Sequence, residues 1–474
     1  MQAIDVIILA LYMIGLIVIG IIAKGRIETL DDFILGGRRF NLIALTGTIL
    51  ATMIGSGMTI GAVGNAYQHG AGGTVFWMYT GFAIGLLVFA FMTDRIRETG
   101  KRSMGEVIAS SYGQTSHLVA SLVIIGYAIA IVAINIAGMR TIIINVFGDS
   151  LRLSIPMVTV LATFVAILYT SFGGFYAVVW TDTVQFLIMV LGVIILGPLL
   201  GLTKAGGFAS LVNTYEAMGS SITNPFINGI SAGSVGFFLA YFLTVPADPT
   251  MPQRALAGKD DATVRNSFLL SGVIGFIFGF CLLVIGASAR VLIPNLEHVE
   301  SALFQFILGY YPPVIKGLAI AAIAAAVMSS FDSFLILATT HIVYDLGQAL
   351  GRKADEDTLK KVLPYATVII GIMGLLIALF IQSLFYYLYM LFSIVGSALV
   401  PAFIGAIYFK DKTTSIAANA SIIVGTLVPA VLYLTVGYDV FLGDPVFLGI
   451  ISSTLTLIVV SMFTNKKKEK QLVE

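Results

Sequence analysis

Of 474 residues, 58% are hydrophobic and 11% charged, with a mean hydropathy of +0.99, whereas soluble domains average roughly 25% charged residues. No water-soluble fold has interior enough to hide that apolar surface, and a formal net charge of +1 excludes a strongly basic nucleic-acid binder. One cysteine, Cys281, and four scattered histidines, His69, His117, His298 and His341, supply neither a disulfide framework nor zinc-ligand spacing.

Apolar stretches able to cross about 30 Å of hydrocarbon at about 1.5 Å per residue are expected at 3–23, 42–65, 71–92, 116–148, 154–172, 174–200, 226–250, 268–293, 314–345, 363–383, 384–409, 413–437 and 443–463, thirteen in all. The first lacks a basic leader and a small-residue cleavage site, so it reads as a retained span. The joins near Gly173 and Ser383 are tight.

Placing the N-terminus outside puts 21 of the 26 Lys and Arg residues on the inner face, in loops at 24–39, 95–102, 254–265, 352–361 and 410–412 and in the tail from 466. Only Arg152, Lys204 and Arg290 then fall in outer loops, with Arg140 and Lys316 near the outer ends of their spans. This satisfies the positive-inside rule and predicts an outer N-terminus and a cytoplasmic C-terminus.

Two interruptions stand out along the chain. The second span carries Ala51-Thr52-Met53-Ile54-Gly55-Ser56-Gly57-Met58-Thr59, where two glycines weaken the helix near its middle. Five spans later, 226–250 ends in Val245-Pro246-Ala247-Asp248-Pro249-Thr250-Met251-Pro252, three prolines that each delete a helix donor. That spacing predicts a five-plus-five inverted repeat whose broken helices release backbone groups to a solute and an ion at the midplane. The alternative is that the glycines serve helix packing and the prolines begin a loop.

The span 314–345 carries Ser329-Ser330-Phe331-Asp332-Ser333 half-way along, and both hydroxyls lean back to the level of the Ala326 carbonyl. With carbonyls from Ala51 and Ile54 they make a hard-oxygen cage for a small cation. Asp182 and Asp332 each cost about 2.5–3.5 kcal/mol to insert at a helix centre. Each therefore faces the bundle interior, and either bonds a neighbouring helix or shares a cation.

These residues resemble the sodium/solute symporter family, nearest in their ion-site motifs to sodium/proline symporters. The loop Asp31-Asp32-Phe33-Ile34-Leu35-Gly36-Gly37-Arg38-Arg39 resembles the one ahead of its first core helix. The run Gly173-Gly174-Phe175-Tyr176-Ala177-Val178-Val179-Trp180-Thr181-Asp182-Thr183-Val184-Gln185 is similar to its most specific motif, and Ser329 to Ser333 to its eighth core helix.

The resemblance implies an all-α transmembrane fold of the LeuT type. One leading helix and loop would occupy 1–41, the first repeat 42–200, an outer loop 201–225, the second repeat 226–409, and two accessory helices with a basic tail 410–474. It implies a principal sodium site at Ala51, Ile54, Ala326, Ser329 and Ser330, and a possible second sodium at Asp182, Asp332 and Ser333. Met53 stands where proline symporters carry an aspartate, and Gly55 and Met58 where sialic-acid carriers place hydroxyls, so neither substrate transfers. Candidate solute contacts are Ser56, Gly57, Thr59, Tyr79, Tyr241 and Phe242, with Asn65 and Trp77 nearby. Arg140 either meets a substrate carboxylate or snorkels to the interface.

The implied function is sodium-coupled symport of a small organic solute, an amino or carboxylic acid favoured, by alternating access in a cell membrane. Alternatives are a proton-coupled carrier of the same fold, a channel, or a membrane receptor. No nucleophile–base pair or phosphate loop points to an enzyme, and the expected partners are the solute and the bilayer, with no obligatory protein partner.

Overall fold

In the computed structural model the described residues are 2–24, 29–71, 73–151, 154–170, 174–227, 231–351, 356–437 and 444–473. Arg26, Arg152, Gly173, Arg352 and Lys353, which entered the reading above, lie outside them.

The described chain is helical. Helix α1 (Ala3–Lys24) leads into α2 (Leu42–Met53), which Asn41 caps by accepting from the Ala44 amide. After a break, the chain resumes through a π-turn (Gly57–Gly61) into α3 (Ala62–His69). There follow α4 (Val75–Ala90), α5 (Gln114–Leu151), α6 (Ile155–Thr170) and α7 (Gly174–Met189), the last continuing through a π-segment, Val190–Leu196, and Gly197–Ala205. The second half runs α8 (Ala232–Ala247), α9 (Thr250–Ala257), α10 (Asp261–Leu292), α11 (Ile315–Thr340), α12 (Glu356–Ala378) and α13 (Leu384–Tyr408). Helices α14 (Ser415–Thr435) and α15 (Pro445–Val473) close the chain.

Each expected apolar segment carries a helix. Among the described residues eight helices are long and apolar enough to cross a membrane, the α2–α3 pair bends by 71° at its break, and three further apolar helices are shorter. The outward side chains that make these stretches apolar remain exposed, for example Ile21, Phe164, Val273, Phe380 and Leu434. Such a surface fits hydrocarbon rather than water. Ser383 caps α13, so the tight join there separates two helices.

Helix α11 is the axis of the fold. Every side chain from Ala319 to Thr340 is buried, and α11 packs against α5, α7, α2 and α1. The small residues Ala321, Ala322, Ala324, Ala325 and Ala326 let those helices approach closely. Tyr12 of α1 accepts a hydrogen bond from Gln185 of α7 at 3.0 Å, which pins the leading helix to the core.

Two departures from the sequence reading concern the second break. The expected span 226–250 ends earlier, at Ala247, because Pro249 forces Asp248 to extended geometry (φ −71°, ψ 117°). The chain does not then enter a loop. It forms α9, whose eight residues are all buried, so Arg254 is a core residue rather than one of the basic loop residues.

At the predicted inner end, the amide of Lys259 donates to Phe40 O at 3.1 Å, Gln253 donates to Ile34 O at 2.7 Å, and Arg97 donates to Ala255 O, Gly258 O and the Asp261 carboxylate. Asp31, in the motif loop, holds both Arg38 and Arg102. At the opposite end Glu300 accepts from the Leu384 amide at 2.8 Å and the Ser383 hydroxyl at 3.1 Å, joining the α10–α11 connection to the start of α13. Burial pushes the Glu300 carboxyl up from its ordinary range, the hydrogen bonds opposing it.

Candidate functional site

The site begins with the break in α2. Ile54 leaves helical geometry (φ −88°, ψ 67°) while its amide still closes the last turn on Leu50 O, and Thr59 Oγ donates back to Gly55 O at 2.8 Å. Gly55 is demanded by close approach: a Cβ there would come within 2.5 Å of Ser330 Oγ and 2.9 Å of Asn135 Oδ1. Ser56 fits because Gly138 of α5 leaves room for it, and its amide and hydroxyl both donate to Asn135 Oδ1 at 3.1 Å.

Against this break lies the serine pair of α11. Ser329 Oγ is 2.7 Å from Ala51 O, 2.8 Å from Ala325 O and 3.2 Å from Ala326 O. Ser330 Oγ is 2.6 Å from Thr52 O and 3.5 Å from Ala51 O. Two hydroxyl protons cannot satisfy that many carbonyls, so the cluster is rich in lone pairs. If Ser329 gives its proton to Ala325 O, four residues back on its own helix, its oxygen is free to face a cation together with Ala51 O and Ala326 O. Hence Ala51, Ala326, Ser329 and Ser330 converge, and Ile54 sits at the adjoining non-helical bend.

At the second expected sodium position, Asp182, Asp332 and Ser333, the structure brings in a residue the sequence placed elsewhere. The guanidinium of Arg254, 0% exposed, donates to Thr52 Oγ and, at 2.9 Å, to Ser333 Oγ, and lies 3.6 Å from Asp182 Oδ2. Asp182 also accepts from Thr48 at 2.5 Å and Thr52 at 3.2 Å. A fixed cation thus occupies the space between Asp182 and Ser333 that the sequence reading gave to a second ion. The sequence placed Arg254 in a basic loop, away from this cluster. Asp332, 1% exposed, lies on α11 one turn past Ser329.

Beside the serine cluster is a narrow cavity lined by Thr52, Met53, Gly55, Ser56 and Gly57 of the break, Ile131, Ile134 and Asn135 of α5, Ser330 and Phe334 of α11, and Leu388 and Phe392 of α13. Of the expected solute contacts, Ser56 and Gly57 reach it. Thr59 is committed to the break, and the Tyr79 hydroxyl donates to Met58 O, so both buttress the half-helix from behind. Tyr241 packs edge-on against Phe392, ring centroids 5.0 Å apart, and forms a second layer. Phe242 stacks on Phe238 away from the lining, Trp77 packs on Phe226, and Asn65 accepts from Thr74 in an outer turn. Sequence reading missed Asn135, although an amide inside an apolar helix is the same kind of signal that exposed Asp182.

Arg140 finds backbone partners at the end of a neighbouring helix. Its two terminal nitrogens donate to Ala378 O at 3.1 Å and Ile381 O at 2.9 Å, capping the end of α12. Such bonds from a charged donor stabilise by about 1.5–3 kcal/mol each. Arg140→Gln is expected to lower the thermal midpoint while leaving the half-saturating solute concentration within about twofold. A large rise in that concentration with an unchanged midpoint would return Arg140 to the solute.

Residues 33–425 match the family model described as the sodium:solute symporter family. Over 453 residues the chain is 26% identical to the sodium/pantothenate symporter of Escherichia coli (strain K12), covering 92% of this chain and 90% of that protein. Over 485 residues it is 26% identical to the osmoregulated proline transporter OpuE of Bacillus subtilis (strain 168), covering 98% and 96%. A solved Na+-coupled sialic acid symporter, substrate-bound and outward-open, shares the fold with a TM-score of 0.84 at 22% identity, 98% of each chain being covered. Mhp1, a nucleobase-cation-symport-1 family transporter, follows at 0.60 and 13% identity, with 93% and 95% covered. These relatives are carriers rather than enzymes. With the family matched over most of its length, this chain belongs to the sodium:solute symporter family, as a membrane carrier that couples sodium to the symport of a small solute.

Proposed function

We propose that sodium binds where Ala51, Ile54, Ala326, Ser329 and Ser330 meet, and that a small amino or carboxylic acid is carried in the adjoining cavity, with Ser56, Gly57 and Asn135 on its wall. The observation that carries this reading is the surplus of carbonyl oxygens around Ser329 Oγ, three within 3.2 Å. Sodium there ties the broken first helix of one repeat to α11 of the other, and Ser330, shared by the ion cluster and the cavity, transmits occupancy of one to the other.

The chain crosses the membrane thirteen times with its N-terminus outside, in two repeats at 42–200 and 226–409. The contacts of Phe40 with α9 close the inner end, and the contacts of Glu300 with α13 close the outer end. Alternating access breaks these two seals in turn. An inside-negative potential adds about 2.3 kcal/mol per charge per 100 mV.

In proteoliposomes, solute accumulation is expected to follow an imposed sodium gradient, to saturate, and to show counterflow of labelled against unlabelled solute. Uptake indifferent to sodium but driven by a pH gradient would assign the chain to proton coupling instead.

A further inference from the structure

We propose that His117 and His341, one on each oxygen of the Asp345 carboxylate, form a cytoplasmic proton sensor that tightens the inner end of the carrier when the cytosol is acidified. This rests on the carrier reading and the membrane orientation proposed above. Helix α11 ends in a π-turn, His341–Asp345, and the side chains of His117, His341 and Asp345 are buried. His117 Nε2 of α5 stands 2.9 Å from Asp345 Oδ1, and His341 Nδ1 stands 3.1 Å from Asp345 Oδ2. The second contact joins two atoms that have no other hydrogen-bond partner among the described residues. A proton belongs between them, since without one two lone pairs would face each other in a buried place.

The site is shaped for these rings. A Cβ on Gly105 would come within 3.1 Å of His117 Nε2, so glycine gives the imidazole its room. Ser103, the cap of the short helix Met104–Tyr112, donates to the same Asp345 Oδ1 at 2.6 Å. One carboxylate thereby joins the inner ends of α5 and α11 to the connection between α4 and α5.

The neighbouring charges favour one more proton. Glu106 accepts from the Tyr344 hydroxyl at 3.0 Å and the Arg102 amide at 2.8 Å. The Arg102 guanidinium donates to Tyr344 and to Asp31, which also holds Arg38, and Arg38 donates to Lys101 O. Helix α12, packed on the π-turn, starts with Glu356, Asp357, Lys360 and Lys361, two charges of each sign, and its described side chains are uncharged. Helices α13 and α14, which pack on α5, contain no charged residue. With both histidines neutral, the carboxylates of Asp31, Glu106 and Asp345 outnumber the guanidinium groups of Arg38 and Arg102 by one. One imidazolium cancels that excess, and histidine is the side chain that charges near neutral pH. Sharing one carboxylate, the two rings titrate as a unit.

A hydrogen bond with a charged partner is roughly twice as strong as a neutral one. Protonation therefore stiffens the junction of α5, α11 and Ser103, from which Arg102 and Asp31 lead to Phe40 and the inner seal on α9. The step it slows is opening of the inner end.

The test is sodium-driven uptake in proteoliposomes at fixed external pH and clamped potential, with internal pH lowered from about 8 to about 6, the range in which histidine charges. The maximal rate is expected to fall at least about threefold, while the external sodium concentration for half-maximal uptake stays within about twofold. His117→Gln and His341→Asn put uncharged amide nitrogens at the Nε2 and Nδ1 positions, so the double variant should keep its sodium dependence and lose the response to internal pH. Sodium-driven wild-type uptake that is indifferent to internal pH, or accelerated by internal acid, overturns the inference and leaves the carrier reading standing. A response to external pH alone, or one that survives in the double variant, overturns it as well. If the double variant fails to fold, Glu106→Gln decides. Removing that facing negative charge should move the internal pH response to lower pH, and an unmoved response overturns the proposal.

Discussion

Replacing Arg254 by glutamine is expected to destabilise the protein by about 3–5 kcal/mol and to abolish transport, because removing one partner of a buried ion pair leaves the other charge uncompensated. Arg254 and Asp182 are both 0% exposed, and the guanidinium also donates to Thr52 and Ser333. The loss should appear as a lower thermal midpoint and a lower folded yield. Asp182→Asn alone should also destabilise, since it strands the guanidinium. The double change Asp182→Asn with Arg254→Gln should be clearly more stable than Arg254→Gln, because neither charge then remains unpaired. Additive losses in the double variant would show that the two side chains do not act as a pair. Transport is expected to stay low even where stability recovers, since Thr52 lies on the cavity wall and loses its donor.

Ser329→Ala combined with Ser330→Ala is expected to raise the sodium concentration for half-maximal uptake at least about tenfold, about 1.4 kcal/mol of lost ion binding. Both hydroxyls lie within hydrogen-bonding distance of Ala51 O or Thr52 O across the break. Their removal deletes two of the proposed oxygens and unties α2 from α11. Thr203→Ala is the control, an exposed hydroxyl that bonds its own helix. Equal sodium dependence in the two proteins would remove the serines from the ion site. A raised solute requirement with unchanged sodium dependence would assign them to the cavity alone.

How much of this was legible in the sequence varies by residue. The break at Ile54 and Gly55 was visible because two glycines interrupt an apolar run, and the serine pair because hydroxyls half-way along an apolar helix must meet something. Asn135 was equally readable by that rule and was passed over. Arg254 was not readable in the same way: a basic residue after three prolines looks like a loop, and only the packing of α9 against α2, α10 and α11 buries it. Arg140 near an outer helix end carried no sign that the carbonyls of Ala378 and Ile381 would claim it.

By itself the sequence determined the apolar helices, where they weaken, and which oxygens are available to an ion, since these follow from local composition and from the cost of burying polar groups in hydrocarbon. Which charge sits beside Asp182, which side chains wall the cavity and which merely support it were decided by tertiary structure. Those answers depend on contacts between residues far apart in the chain, such as Asp182 with Arg254 and Ser56 with Asn135, and helix periodicity carries no information about which distant partner a buried polar group will find.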